Sequence, residues 1–240
     1  PRFNQNVLES LLVPKTLLDE REKINKEMNE LIKLYDQYIN LFTEAENAIL
    51  NDIGENEYDF PLVNFQEKSL EEALRANRLD SVYFNCDISK LEKALKKRFG
   101  KCPTLNDYTH FIKRGKQPKY IENGVKVVNS KHVKMGQVEL DNNRQAQLEN
   151  TSLLIQKYDV LMNGTGVGTI GRCSAYLHDT KALPDNHVTV IRSKGIDPIY
   201  LSLFLNSKIG QTQVSKHTRG SSGQVELYPS DIKEFKVWPA

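Results

Sequence analysis

A glycine-rich segment in the second half of the chain is the first place where residue types and spacing suggest chemistry. A short run at 159–162, apolar after its first residue Asp159, is followed by Asn-Gly-Thr-Gly-Val-Gly-Thr-Ile-Gly-Arg at 163–172, and apolar residues resume at 173–177. Glycine has no Cβ, so such a loop can adopt positive φ and bring its backbone N–H groups close to another molecule. The pattern predicts two strands that present a recognition loop, a phosphate-contacting loop or simply a tight hairpin.

The same segment contains Gly166-Val-Gly168-Thr-Ile-Gly171, which has the form of a dinucleotide-binding motif. That motif needs a strand before it, a helix after it and an acidic residue about 20 positions further on. The residues that follow have the pattern of a strand, so we do not expect a dinucleotide site. The lysine and hydroxyl residue that complete a P-loop are also missing after this segment.

Other catalytic arrangements are absent or weak. The sequence has no Pro-Pro, which the target-amine turn of DNA amino-methyltransferases requires, and Asp185 lies 46 residues from Asp231-Ile-Lys233, the nearest nuclease-like pair. Three cysteines without CxxC spacing argue against a disulfide framework or a zinc site and fit a reducing cytosol. The five histidines are scattered without metal-ligand spacing: His110, His132, His178, His187 and His217. We therefore predict a non-catalytic protein with no cofactor and no metal.

The net charge of +2 hides an uneven distribution of charge along the chain. Residues 1–72 hold 7 Lys/Arg and 16 Asp/Glu, whereas residues 90–140 hold 13 Lys/Arg and 4 Asp/Glu. A basic segment behind an acidic one is typical of a module that binds a polyanion and carries a protein-facing appendage. A solvated helix followed by lysine-rich loops would show the same asymmetry without any such function.

Residues 16–51 have the pattern of one long helix. Steps of seven from Leu17 reach Ile24, Leu31, Tyr38 and Ala45, a heptad seam that predicts a coiled coil. Such a helix is about 50 Å long. It cannot bury its seam against itself, and no second heptad run of that length occurs, so we expect the partner helix to lie outside this chain.

The 240-residue chain contains no apolar run that approaches the roughly 20 residues of a membrane helix. It begins without methionine, as a trimmed terminus or a cut from a longer chain would. After an acidic, aromatic linker at 55–65, two short helices are predicted at 70–77 and 88–99 and a third helix at 198–207. Short β-like runs are predicted at 124–128, 137–140, 159–162, 173–177, 187–191 and 235–238. This order predicts an α+β fold with a twisted, mixed, barrel-like sheet at 55–240, preceded by the long helix at 1–54.

Four groups of residues follow one another in an order that resembles one protein family. The first group is Arg-Leu-Asp-Ser-Val-Tyr-Phe-Asn at 78–85, and the second is Ile-Lys-Arg-Gly-Lys-Gln-Pro at 112–118 together with 124–133 and 136–138. The third group is Lys-Tyr-Asp-Val-Leu at 157–161 with the glycine loop. The fourth group comprises 200–206, Gly-Ser-Ser-Gly-Gln at 220–224, 227–232 and Val-Trp-Pro at 237–239. Together they resemble the specificity subunit of type I restriction–modification systems. The first group is similar to the Arg-Leu-Asp-x-x-Tyr-aromatic box that begins each target recognition domain of that family.

The resemblance implies a cytoplasmic DNA-recognition subunit with one target recognition domain and one long conserved helix. The implied partners are double-stranded DNA, a methyltransferase (modification) subunit and a restriction subunit, with no membrane. The family usually carries two recognition domains and two helices. This chain would therefore be a fragment that pairs with the rest of a full-length chain, a half-length subunit that pairs with a dimer mate, or the recognition domain of a fused restriction–methylation enzyme.

Base recognition requires side-chain donors and acceptors on loops: Arg or Lys for guanine, Asn or Gln for adenine. Asn186 and His187 are weaker candidates, because Pro184-Asp-Asn also makes a good turn. The predicted DNA-binding residues are Arg114, Lys116, Gln117, Lys119, Asn129, Lys131, Asn163, Thr165, Thr169, Arg172, His217, Arg219, Ser221, Ser222 and Gln224.

A second hypothesis comes from a different functional class. The chain would be a self-associating coiled-coil adaptor whose β-rich domain binds a protein. The charge asymmetry fits this adaptor less well than it fits a DNA-binding module.

Overall fold

The computed structural model describes residues 15, 19–54, 67–149, 153–220 and 223–239. The packing divides the chain into two compact units, one ending at Ala45 and one beginning at Glu46. The predicted division into 1–54 and 55–240 stays a prediction, because the linker at 55–65 lies outside the described residues. The predicted start of the long helix, at residue 16, lies outside them as well.

The long N-terminal helix is confirmed. Helix α1, Arg21–Ile53, has 33 residues, and its last turns belong to the second unit, where Ile49, Leu50 and Ile53 are buried in the core. Most side chains before Ala45 are exposed. The exposed apolar side chains of this part include Met28, Leu31, Ile32, Leu34, Tyr35, Tyr38, Ile39 and Leu41. We call Met28, Leu31, Tyr35 and Tyr38, which recur at helical spacing, the apolar stripe.

The second unit holds the other helices and the strands. Its described helices are α2 (Leu70–Ala76), α3 (Ser81–Asn85), α4 (Ser89–Phe99), a 3₁₀ turn (Leu105–Tyr108), α5 (Pro198–Asn206), α6 (Lys208–His217) and α7 (Pro229–Lys233). Local capping explains several boundaries. Ser69 and Glu72 form a capping box before α2, and Asp197 accepts the N–H groups of Ile199 and Tyr200 at the start of α5.

The described strands are β1 (Thr109–Arg114), β2 (Tyr120–Ile121), β3 (Val125–Val128), β4 (Val133–Lys134), β5 (Gln137–Val138), β6 (Gln145–Ala146), β7 (Val160–Asn163), β8 (Cys173–Ala175), β9 (Leu183–Pro184) and β10 (Val188–Ser193). The main sheet has the order β1-β10-β7-β8, with antiparallel neighbours throughout. A smaller sheet has the order β2-β6-β3-β9 and includes a parallel pair, β3 with β9. The α+β class and the mixed sheet are confirmed, and within the described residues the sheets do not close into a barrel.

The main sheet separates two cores, since neighbouring side chains of a strand point to opposite faces. Val160 and Met162 of β7 pack with the helices, in the core that contains Leu201 and Phe204. Leu161 lies in a second core with strand residues such as Tyr176 and Val190. The second unit is therefore layered, with helices on one face of the sheet and short strands on the other.

The structure differs from the predictions in three elements. β1 and α6 were not expected from the sequence, although both are well defined. The strand expected at 235–238 is not a strand, because Lys236 makes only an isolated bridge with Thr104. Its backbone is held instead by Gln213 of α6, whose amide donates to the Lys236 carbonyl at 2.9 Å and accepts from its N–H at 2.6 Å.

An ion pair with a buried carboxylate joins Asp159, the residue before β7, to Arg192 of β10. The Arg192 guanidinium donates to both carboxylate oxygens of Asp159, at 2.7 and 2.8 Å, and to the carbonyl of Leu154 at 3.2 Å. Asp159 is buried. Removing Arg192 leaves the buried Asp159 carboxylate without its cationic partner, which is strongly destabilising.

We therefore expect Arg192→Met to lower the free energy of unfolding by about 3–5 kcal/mol. The control is Lys157→Met, which removes an exposed ion pair with Asp179 of 2.8 Å and should cost less than about 1 kcal/mol. Urea unfolding of the two variants measures the difference. Equal destabilisation by both substitutions would contradict the role given to the buried pair.

Candidate nucleic-acid interface

The strand ends of the main sheet bring distant loops to one edge. Arg114 at the end of β1 lies opposite Thr189 of β10, and Val188 lies opposite Asn163 at the end of β7. Met162 in turn lies opposite Cys173 at the start of β8. The loops at 115–119, 164–172 and 185–187 therefore leave the sheet at the same edge, which we call the loop edge.

The glycine loop is a closed hairpin between β7 and β8. The N–H of Gly171 donates to the Asn163 carbonyl at 2.8 Å, and the Asn163 N–H donates to the Arg172 carbonyl at 2.9 Å. Gly171 has φ +77°, and a Cβ there would lie 2.4 Å from the Val214 side chain. A strand and not a helix follows the loop, so it is not a dinucleotide site.

Two predicted DNA-binding residues hold a neighbouring turn in place. The Asn163 amide donates to the Ser130 carbonyl at 3.0 Å, and the Arg172 guanidinium donates to the same oxygen at 3.2 Å. Ser130 lies in the turn at 129–132, so this turn is brought to the loop edge. Lys131 is exposed there, and the half-buried Asn129 accepts the N–H of His132 at 2.9 Å.

Arg114 also makes internal contacts. Its guanidinium donates to the carbonyls of Leu227 at 2.6 Å and Gly164 at 3.2 Å, and it lies over the Tyr228 ring at 5.4 Å. The N–H of Leu227 donates to the Gly164 carbonyl at 2.9 Å. Arg114 thus ties the segment 223–228 to the glycine loop.

Two further arginines bind residues on either side of that segment. Arg78, the first residue of the Arg-Leu-Asp box, donates to Asp80 at 2.5 Å and to the Thr218 carbonyl at 3.0 Å. The hydrogen bond from Arg78 lowers the pKa of Asp80. The predicted residue Arg219 donates to both carboxylate oxygens of Asp231, at 2.8 and 3.2 Å.

The other predicted residues of the loop edge lie mostly on its surface. Lys116, Gln117 and Lys119 are exposed around a pocket of about 440 Å³, and Lys119 forms an ion pair with Glu149 at 2.9 Å. Thr165 lies 2.7 Å from the exposed His187 ring. Thr169 donates to the carbonyls of Thr165 and Gly166, and Gln224 is exposed. Ser221 and Ser222 lie outside the described residues.

His217 lies away from the loop surface, between aromatic rings at the end of α6. Its ring centroid is 5.9 Å from that of Tyr83 and 5.5 Å from that of Phe235. Burial lowers the pKa of His217 to about 4, although nearby Asp231 has a smaller raising effect. Contact between DNA and any of the fifteen predicted residues stays a prediction.

Sequence analysis missed several residues that line the loop edge: Lys113, Gln147, Glu226 and Tyr228. Lysine, glutamine and tyrosine side chains are too common on protein surfaces to be singled out before the order of the strands in the sheet is known. His187 was only a weak candidate, yet the N–H of His187 is fixed by the buried carboxylate of Asp185 at 2.9 Å. Burial raises the pKa of Asp185.

The nuclease-like acids have structural partners, since Asp185 binds the backbone of its own turn and Asp231 pairs with Arg219. Within the part of the chain that the structure describes, no cluster of three or more His, Cys, Asp or Glu side chains could hold a metal ion. No described helix is long and apolar enough to cross a membrane. The prediction of a non-catalytic protein remains a prediction.

Three solved structures are similar to this chain. The S subunit of a type I restriction–modification system from M. genitalium is 15% identical, with a TM-score of 0.34, and the match covers 55% of this chain and 32% of that one. A chain from a structure of complex assembly and conformational transition of the type I R-M system is 12% identical, with a TM-score of 0.42 and coverage of 90% and 46%. The HsdS subunit from Thermoanaerobacter tengcongensis is 10% identical, with a TM-score of 0.41 and coverage of 90% and 45%.

These are proteins of type I restriction–modification systems, the system whose specificity subunit the motifs resemble. The matched region spans less than half of each similar chain. No protein-family model matches the sequence, and no curated protein matches it significantly.

The low pKa of His217 makes the stability of the fold depend on pH. The folded chain favours the neutral ring, so the unfolded chain binds more protons between pH 6.5 and about 4. Stability therefore falls as the pH falls through this window. We expect His217→Phe to reduce the loss of unfolding free energy between pH 7 and pH 4 by about 2–3 kcal/mol.

Urea unfolding at several pH values measures this dependence. His110→Phe, at an exposed position, serves as the control and should leave the dependence unchanged. An unaltered slope in His217→Phe would show that the ring is not held neutral by its surroundings.

Proposed function

We propose that this chain recognises a sequence in double-stranded DNA through its loop edge, as one half of the recognition apparatus of a cytoplasmic type I restriction–modification complex. One observation carries this proposal. Loops that lie far apart in the sequence meet at one edge of a braced sheet and place exposed Lys116, Gln117, Lys119, Lys131 and Gln224 on its surface. Cations for phosphates and amides for base edges are the side chains that duplex recognition requires.

The geometry suggests two groups of predicted residues with different tasks. Arg114, Asn163 and Arg172 donate to backbone carbonyls, and Arg219 pairs with Asp231, so we assign these four to holding the loops. The exposed lysines and glutamines are assigned to contact with DNA. A rigid loop that presents its polar groups loses less conformational entropy on binding than a mobile one.

The apolar stripe of α1 supports a second part of the proposal. An exposed row of large apolar side chains at helical spacing marks an interaction surface. We propose that a second helix covers it, either from the rest of a full-length chain or from a dimer mate. The methyltransferase and restriction subunits would then dock on this helix pair, which separates two recognition domains and makes the DNA target bipartite.

The DNA-binding role is tested by the salt dependence of duplex binding. We expect the double substitution Lys116→Ala and Lys131→Ala to weaken binding to mixed-sequence duplexes. It should also reduce the slope of log K against log salt concentration by about 2, because each phosphate contact contributes about 0.9. Fluorescence anisotropy with labelled duplexes at several salt concentrations measures both quantities.

Lys194→Ala is the matched control, because Lys194 is exposed directly after β10 at the opposite edge of the same sheet. This variant should bind as the unmodified chain does. If Lys194→Ala weakened duplex binding and reduced the salt slope as much as the double substitution does, the assignment of DNA contacts to the loop edge would be contradicted. Failure of the unmodified chain to bind duplexes even in dilute salt would favour the protein-binding adaptor instead.

The helix proposal is tested on the apolar stripe. Placing lysines at Leu31 and Tyr38 puts charges into the expected helix pair and should weaken association by about tenfold or more. Thermal unfolding of the unit from Glu46 onward should be unchanged. Analytical ultracentrifugation and circular dichroism measure the two effects.

Lysines at the exposed polar positions Asn29 and Asn40 of the same helix serve as the control and should leave association intact. Association that survives the changes at Leu31 and Tyr38 would rule out the stripe as the contact surface. Unfolding of the second unit together with the loss of association would show that this part of α1 belongs to its core.

A further inference from the structure

A cleft at the loop edge contains an acidic side chain whose position is unusual for a surface that binds phosphates. The cleft has a volume of about 460 Å³, and its walls include Thr165, His187, Arg219, Gln224, Glu226 and Tyr228. Among the described residues that line it, Glu226 is the single carboxylate. Two residues before it in the sequence, Gln224 opens on the same cleft.

The backbone of Glu226 is firmly held. Its N–H donates to the Arg219 carbonyl and its carbonyl accepts the Arg219 N–H, both at 2.8 Å. Glu226 also forms a bridge with Thr165, and the next residue, Leu227, donates to the Gly164 carbonyl at 2.9 Å. The side chain therefore leaves the protein from a fixed point beside the glycine hairpin.

The carboxylate itself is held more loosely than its backbone. Its Oε1 lies 3.5 Å from Nη1 of Arg114, whereas Arg114 reaches the Leu227 carbonyl at 2.6 Å. The Glu226 side chain is 40% exposed. The Tyr228 hydroxyl also interacts with this carboxylate. A carboxylate offers about four acceptor positions, so these two contacts leave part of its hydrogen-bonding capacity open to the cleft.

A carboxylate repels DNA phosphates, so at this position it weakens binding unless it meets a hydrogen-bond donor. In the major groove the donors are the amino groups of cytosine N4 and adenine N6, and glutamate pairs with the first. The same charge excludes the acceptor oxygens of guanine and thymine, which adds discrimination by repulsion. The carboxylate therefore lowers the affinity for DNA in general and raises the preference for one base at its position.

We propose that Glu226 is a specificity-determining residue that accepts a hydrogen bond from the N4 amino group of a cytosine in the target duplex. This inference rests on the proposed DNA-binding function and extends it by naming the base that one side chain selects. The contacts of Arg114 and Arg219 fix the backbone from which the Glu226 side chain projects, relative to the exposed lysines of the loop edge.

The test is selection of duplexes from a random library by the full 240-residue chain. The unmodified chain should enrich a motif with a cytosine at one position, and Glu226→Gln should relax that position while the rest of the motif is retained. An amide donates as well as accepts, so guanine and thymine are no longer excluded. Glu122→Gln removes one exposed negative charge elsewhere and should leave every position of the motif unchanged.

A second measurement does not depend on the folding of any variant. Replacing the selected cytosine by 2-pyrimidinone, which lacks the 4-amino group, should weaken binding of the unmodified chain by about 5- to 150-fold. The loss should be much smaller for Glu226→Gln. Undiminished affinity of the unmodified chain for the analogue duplex would overturn the inference.

The outcomes separate the two proposals. If the unmodified chain enriches no motif, the proposed function fails and this inference fails with it. If a motif is enriched and Glu226→Gln enriches the same motif, DNA recognition stands and only the role of Glu226 is refuted.

Discussion

The antiparallel pairing of β1, β10, β7 and β8 is the constraint on which the rest of the second unit depends. Antiparallel neighbours place the end of one strand beside the start of the next, so three loops emerge together. Backbone bonds extend this pairing into the loops, from Gly115 to Val188 at 2.9 Å and from Gly164 to His187 at 2.8 Å. A slip of one residue in β7 would exchange Leu161 and Met162 between two different cores, which strongly fixes the register.

Arginines and lysines are used differently around this sheet. Arg78, Arg114, Arg172 and Arg192 all donate to backbone carbonyls, in each case across long distances in the sequence. A planar guanidinium with five donors can serve several acceptors at once, which a lysine ammonium does with less geometric definition. An arginine that left its carbonyl to contact a base would leave that acceptor unsatisfied, at a cost of about 1–3 kcal/mol. The exposed lysines incur no such cost.

The sequence predicts the parts of the fold whose local signals agree with their packing. The helix near 70–77 begins with a capping box, the helix near 88–99 ends at Gly100, and the helix near 198–207 begins after its cap, Asp197. The runs at 124–128 and 159–162 contain apolar residues that are buried in strands. Helix α6 escapes prediction because Gly210 and several hydroxyl residues lower its helix propensity, while its burial comes from Ile209, Gln213 and Val214. Tertiary packing overrides the local preference there.

The candidate site was only partly predictable for a related reason. Donors and acceptors on loops can be recognised from residue type, which gave Lys116, Gln117, Lys131 and Gln224. Residue type does not show whether a donor is already engaged, and Arg172 reaches the Ser130 carbonyl through a fold that joins positions 42 residues apart. Nor does it identify Glu226, because an isolated acid in a glycine-serine segment looks like an ordinary surface residue until the sheet order places it among cations.

Under the proposed function, affinity and specificity would belong to different residues of the loop edge. Contacts to phosphates add binding energy that is nearly independent of sequence, so the lysines alone would hold any duplex. Discrimination between bases requires polar groups whose positions do not adapt to the wrong base. The arginines would meet that requirement indirectly. They donate to the carbonyls of Gly164, Ser130, Thr218 and Leu227 and so hold the loops. In the proposed function, this would allow a neighbouring amide or carboxylate to distinguish one base from another.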